Sequence, residues 1–418
     1  MTSGAVVNEH YLNKVLALSQ EVGVTATEDI YDARGMKLLA KGAMVSPQLQ
    51  ERLIVHRLRK PLEACITVEG GVDGSGLAAS AYRACEASPA LAAILGACGI
   101  TVATVRRELE ALRFAPAMTV MLTMIGRGNG DLRHVAEVAA LSLAFATHAR
   151  LAPDGVRVAA MAGVLHDIGE LYIDPDLINA SRVLSSEEWS HVIVHPHIGR
   201  LLIQDLESCP AAVGIAVSEH HERLNGTGYP RAMIAGQSSV AGQLVASAEL
   251  ISGLLHKPNA LQRAELAMKI VSGEHPRMVS AIISQASRTP GAQAFELASA
   301  TIDDDEVIRL SQRMADAAEL AAQLARGAGL APRHLDLMLR TRERLHMVQR
   351  AFMSTGLDMH VAALAGAPLD HHEVFESELA LREISWRVRD IGRDLVLQLG
   401  AARTSIPQAG QLVALLCG

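Results

Sequence analysis

His166 and Asp167 stand side by side at the end of the apolar run Met161-Ala-Gly-Val-Leu165, and this pair limits what the chain can fold into more than any other feature. Such a run belongs in a protein interior, where an ionised carboxylate is costly unless a cation accompanies it. With 17 histidines in the chain, any one of them taken alone reads as an ordinary core or surface residue. The set downstream cannot be read that way, because His195-Pro196, His220-His221-Glu222 and Gly228-Tyr229-Pro230 follow in order. Neutral imidazoles joined by carboxylates are a donor set for divalent ions such as iron and manganese, and no thiolate takes part.

The chain has 418 residues, of which 50% are hydrophobic but only 3% aromatic. Its core must therefore be aliphatic, and the abundance of Ala and Leu favours helix over strand. The expected fold class is all-α, with enough length for two or three domains. A net charge of −7 and the lack of a basic stripe argue against a binder of duplex nucleic acid. The five cysteines fall at no paired or metal-ligand spacing, which fits a reducing compartment. The N-terminus has no charged region followed by an apolar one, and no run of about 18 uncharged apolar residues occurs, so a cytoplasmic chain without a membrane span is expected.

Three regions are expected: 1–115, 116–290 and 291–418. In the first, Asp29 to Gly42 reads as two short strands around an Asp32-Ala33-Arg34-Gly35 turn. Ser46-Pro47 then predicts an N-cap and first helical residue, with a helix running through Leu53 toward Leu58. The glycine-rich run between Glu69 and Leu77 reads as a turn or linker, since it lacks the Lys-Ser/Thr ending of a phosphate loop. In the last region, apolar residues recur at helical spacing around Leu337, Leu345 and Leu381 to Leu395, and Thr301 with Asp303, Asp304, Asp305 and Glu306 reads as a capped helix start. His371-His372-Glu373 has the composition of the metal motif without its neighbours and is expected at the surface.

Val164-Leu-His166-Asp167-Ile-Gly169, His195-Pro-His197-Ile-Gly199 and the stretch His220 to Pro230 together resemble an HD-GYP domain over roughly residues 116–290. That family is a subgroup of the HD metal-dependent phosphohydrolases, and its usual substrate is cyclic di-GMP. The resemblance implies an HD-type helical bundle between a small N-terminal strand-and-helix region and a C-terminal helical extension. It also implies two divalent metal ions, iron or manganese, held by His134, His166, His195, His220, His221 and Glu249, with Asp167 bridging them. Asp167 and Glu170 fall at its catalytic positions, and Arg223, Arg182, Gly228, Tyr229 and Pro230 are the candidates for contacting substrate. The Gly-Tyr-Pro loop and the C-terminal helices are the candidate surfaces for a protein partner or a homodimer.

Several positions depart from the family pattern. The last metal-ligating Asp is Glu249, one methylene longer, and a second Asp of that motif is Ser252. The lysine that contacts phosphate is replaced by Glu170, and like charges about 4 Å apart repel by about 4 kcal/mol at an effective dielectric near 20. The Lys-Pro-Gly turn reads Ala180-Ser181-Arg182, and the Asp before Gly226 is Asn225. The Glu that helps some relatives hold a third metal corresponds to Gly130, which leaves a dinuclear centre. His191, four residues before His195, is a spare imidazole, and His197 is expected to face solvent. Two readings follow. One is a phosphodiesterase acting on cyclic di-GMP or a related cyclic dinucleotide; the other is a degenerate, non-catalytic cyclic-dinucleotide-binding or protein-interaction module.

Overall fold

Short polar side chains start many of the helices. Asn8 accepts a hydrogen bond from the Tyr11 amide ahead of Glu9–Glu21, Asp73 from Gly76 ahead of Gly74–Ala87, Ser88 from Leu91 ahead of Pro89–Ala97, and Ser239 from Gly242 ahead of Val240–Ser252. Ser185 and Glu188 form a reciprocal capping box at the start of Ser186–Val192. The computed structural model describes residues 5–128, 132–179, 182, 184–206, 209–270, 273–289, 304–326, 330–355, 371–400 and 406–417. Within them the fold is all-α apart from two small antiparallel pairs, Val24–Ala26 with Ile66–Val68 and Ile30–Tyr31 with Lys37–Leu39.

Buried apolar residues from Val7 to Ala286 form one continuous core, and a second core runs through Ile270 and from Val307 to Leu416. At the centre of the first lies Arg133–His148, buried without interruption from Val135 to Ala146. A helix apolar all round belongs inside a bundle. Pro153–Leu165, Val240–Ser252 and Gly74–Ala87 pack against it. No single helix among the described residues is long and apolar enough to cross a membrane, and none of the five cysteines forms a disulfide among the described residues.

The strand-turn-strand expected after Asp29 is present. Asp32 closes the turn by accepting from the Arg34 and Met36 amides, and Gly35 takes φ +92°. The helix after Ser46 differs from expectation: it opens as a 3-10 turn over Pro47–Leu49, Ser46 makes no side-chain cap, and it stops at Val55. The glycine run is not a linker throughout, because a helix begins at Gly74. A Cβ at Gly74 would sit 2.7–2.8 Å from the carbonyl oxygens of Leu109, Glu110 and Leu112, so this glycine marks close backbone packing. The periodicity near the C-terminus becomes Pro332–Ser354 and His371–Leu399, joined in the second core by Asp304–Arg326 and Pro407–Cys417. Thr301 to Asp303, Ala180, Ser181 and Gly130 lie outside the described residues, as do the side chains of His371 and His372.

One buried ion pair ties the two cores together. Arg387 on His371–Leu399 donates from Nε to Glu274 Oε1 at 2.9 Å and from Nη2 to Glu274 Oε2 at 2.5 Å, with both side chains buried. Removing one partner leaves the other charge uncompensated. Arg387→Met is expected to destabilise the protein by about 3–5 kcal/mol, read as a fall in the urea midpoint. The Arg387→Met/Glu274→Met double variant is expected to recover part of the loss.

Candidate metal centre

Each candidate ligand occupies the end of an element. His134 is the second residue of Arg133–His148, His166 caps the C-terminus of Pro153–Leu165, Asp167 follows it, and His195 opens His195–Asp205. His220 and His221 lie in the turn after Ala211–Val217. Glu249 sits on Val240–Ser252. Two glycines let these ends meet. A Cβ at Gly169 would lie 2.0 Å from the His195 carbonyl oxygen, and one at Gly228 would lie 2.4 Å from that of His221. Neither position can hold a side chain without moving a ligand.

Asp167 divides the imidazoles into two groups. Its Oδ2 faces His166 Nε2 at 2.9 Å and His134 Nε2 at 3.7 Å. Its Oδ1 faces His220 Nε2 at 3.5 Å and His195 Nε2 at 3.6 Å. Glu249 Oε2 joins the first group, 3.1 Å from His134 Nε2 and 3.2 Å from His166 Nε2. His221 joins the second, so that Asp167, His195, His220 and His221 can bring one ligand atom each within 4.8 Å of one another. His134, His166 and Asp167 meet the same condition.

The tautomers are set from behind. Nδ1 of His166, His195 and His220 lies 2.9, 2.8 and 2.7 Å from the carbonyls of Gly163, Val192 and Val217. A carbonyl accepts only, so Nδ1 carries the proton and the Nε2 lone pair points inward. Pairs of Nε2 atoms therefore approach each other, His134 to His166 at 3.2 Å and His195 to His220 at 3.1 Å. Lone pairs that converge with two carboxylates need a cation between them. Glu249 Oε2 carries the same message, since it is buried and makes no hydrogen bond of acceptable geometry. The donor set thus fits a pair of divalent ions sharing Asp167.

Protonation is divided along the same line. Burial pushes His195 down to about 4, and His220 adds to the effect. Burial acts on His221 in the same direction and holds it well below the ordinary imidazole value. For His166, burial is outweighed by the Asp167 and Glu249 carboxylates, which raise it well above its ordinary value. A metal ion at His166 must displace that proton, so metal affinity is expected to fall as pH drops.

Sequence reasoning missed the support behind His134. Ser252 Oγ donates to Glu137 Oε2 at 2.9 Å and so accepts from His134 Nδ1 at 3.0 Å, while Glu137 Oε1 lies 2.7 Å from His256 Nε2. Ser252, which had suggested degeneration, orients a ligand. The motif-spacing Glu137, one helical turn after His134, was the only available signal.

The other candidates scatter. Glu170 lies on the 3-10 turn Ile168–Tyr172, not a helix, and lines a cavity of about 310 Å3 together with His134 and Asp167. Burial, reinforced by Asp167, pushes its carboxyl up to about 9. Arg223 does not line that cavity; burial lowers its guanidinium pKa, and Glu274 is its nearest compensating charge. Arg182 is exposed and pairs with Glu188 at 2.5 Å. Tyr229 stacks on His221 with ring centres 4.5 Å apart and meets Trp189 edge-on at 5.4 Å. Glu222 accepts from the Arg231 and Met233 amides and so holds the loop containing Gly228 and Pro230. His197 is exposed as expected, and so is His191, which joins neither ligand group.

His166→Ala is expected to abolish bound metal, and Ser252→Ala to weaken metal affinity about 10–100-fold through loss of the orienting hydrogen bond. Both are read by elemental analysis and metal titration; native affinity in Ser252→Ala would remove the assigned role.

Residues 123–274 match a family model described as HD domain. A cyclic di-GMP phosphodiesterase of Pseudomonas aeruginosa is 32% identical over 143 residues, covering 34% of this chain and 34% of that protein. The cyclic di-GMP phosphodiesterase response regulator RpfG of Xanthomonas campestris pv. campestris is 30% identical over 106 residues, covering 25% and 28%. A 3'3'-cGAMP-specific phosphodiesterase 3 of Vibrio cholerae is 29% identical over 93 residues, covering 22% and 20%. The chain thus spans about a third or less of the length of these relatives. The matched segment carries the histidine cluster, and residues 123–274 of this chain are an HD domain.

Proposed function

We propose that segment 116–290 is a metal-dependent phosphodiesterase acting on cyclic di-GMP or a related cyclic dinucleotide. The observation that carries this reading is the division of the ligands by Asp167, one oxygen facing His134 and His166 and the other facing His195 and His220. A pair of divalent ions, iron or manganese by the donor chemistry, would supply Lewis acidity and a water acidified toward neutral pH. His134, His166 and Glu249 would hold one ion, His195, His220 and His221 the other, with Asp167 between. The rest of the chain orients and excludes. Backbone carbonyls fix three imidazoles, and Tyr229 covers the face of His221. The resemblance to relatives named for cyclic di-GMP and cGAMP supports the substrate class.

A second reading, a non-catalytic module that binds the nucleotide, is favoured by Glu170 in the cavity beside Asp167. Iron(II)- or manganese(II)-loaded protein is expected to convert cyclic di-GMP to a linear product. Binding without turnover would establish the module instead, and less than one metal per chain would remove both the centre and the enzyme.

Glu170 offers a sharper test. Its carboxyl is held neutral by burial and by Asp167, whereas bound cations favour the charged form. Glu170→Lys is expected to raise turnover about tenfold, the ratio that ~1.4 kcal/mol of barrier gives. Unchanged or lower turnover at constant metal content would make Glu170 an adapted functional acid.

A further inference from the structure

The cavity in front of the candidate metal centre is not walled by the HD domain alone. Its far side is the helix Glu9–Glu21, which contributes Lys14, Ala17, Leu18 and Glu21 to the lining. Several contacts hold that helix in place. Tyr11 stacks on Tyr172 with ring centres 4.9 Å apart and 16° between planes. Asn8 Nδ2 donates to the Tyr172 carbonyl at 3.3 Å. Lys14 Nζ donates to the carbonyls of Glu170, Leu171 and Ile173 at 3.2, 3.0 and 3.3 Å. Leu12, Val15 and Leu16 lie in the same core as the HD helices, so the wall is part of the folded unit.

The lining has three kinds of surface. Leu18, Met124, Ile125 and Ile178 present apolar atoms, Lys14, Arg127 and Arg133 bring cationic side chains, and Glu21, Asp167 and Glu170 bring carboxyls. Glu21 pairs with Arg127 at 3.1 Å, and His134 and Asp167 line the same cavity. An apolar slot with guanidinium groups suits the flat face of a nucleobase, and the cations suit the phosphates attached to it. At about 310 Å3 the slot is at the low end of the ~300–1,000 Å3 range of small-molecule pockets, which fits one nucleotide half better than a whole cyclic dinucleotide.

We propose that this slot is a nucleobase subsite, in which one base of a cyclic dinucleotide lies between the N-terminal helix and the Met124–Ile178 side while its phosphate reaches Asp167. The inference rests on the function proposed above. It makes the N-terminal helix a specificity-determining wall of the site, and the region before the HD domain a participant in substrate selection.

Ala17 is exposed on that wall and belongs to neither the core nor the ligand set, so Ala17→Trp places an indole in the slot without disturbing either. The test uses the full-length, manganese-loaded chain, with cyclic di-GMP affinity measured by calorimetry and turnover compared against the nucleobase-free diester bis-para-nitrophenyl phosphate. Ala17→Trp is expected to keep its metal content, to lose at least about tenfold in cyclic di-GMP affinity, and to shift the turnover ratio of the two substrates toward the small diester. Arg127→Glu is expected to weaken cyclic di-GMP binding and to flatten its salt dependence. Native affinity in both variants would overturn the subsite and leave the proposed function standing. A native chain that neither binds nor hydrolyses cyclic dinucleotides would overturn that function, and the subsite with it.

Discussion

The approach of the Ile168–Tyr172 turn to the first residue of His195–Asp205 is the contact on which the rest of the site depends. Only because residue 169 lacks a Cβ can the backbone after Asp167 lie against the His195 carbonyl. That contact brings the second imidazole group to the second oxygen of one carboxylate. The HD pair alone supplies half a centre; the glycine two positions later lets the other half reach it. The carbonyls that orient His166, His195 and His220 each lie three residues before the ring they hold, so these three imidazoles arrive with their own orienting groups from the same chain end.

Much of this was legible in the sequence because it is local. Helical periodicity located the C-terminal elements, and the order of the His, Asp and Gly motifs singled out the side chains that the fold brings together. What escaped was set by distance along the chain or by tertiary packing. Ser252 lies far from His134 in sequence, and its partner Glu137 looked like any helix residue until the fold buried it. Gly74 read as linker because glycine weakens helices in isolation, whereas here it admits three carbonyls into close approach. Arg223 was a candidate for contacting substrate from its place in the motif, yet it does not line the cavity beside Asp167 and donates instead to the Glu222 carbonyl.

The Gly-Tyr-Pro loop is fastened on two sides. Beneath it, Tyr229 lies on His221. Beside it, Trp189 packs on Tyr229 and receives Arg393 from the C-terminal helix, with the guanidinium carbon 4.8 Å from the ring centre. Burial and the neighbouring Asp394 carboxylate act on Asp390 in the same direction, against Arg344, and push it up to about 6. A chain of ring and cation contacts thus runs from His371–Leu399 through Trp189 and Tyr229 to His221, and links that helix to the loop that the family resemblance marks for partners.

The continuous core from Val7 to Ala286 also has a thermodynamic meaning. Ion binding raises the cost of every opening that also breaks the site, and a global opening of this core is one of them. Ion loading at the histidines should therefore slow amide exchange in Glu9–Glu21, although no ligand lies on that helix. Whatever strains the N-terminal helix draws, by the same linkage, on the affinity of the cluster.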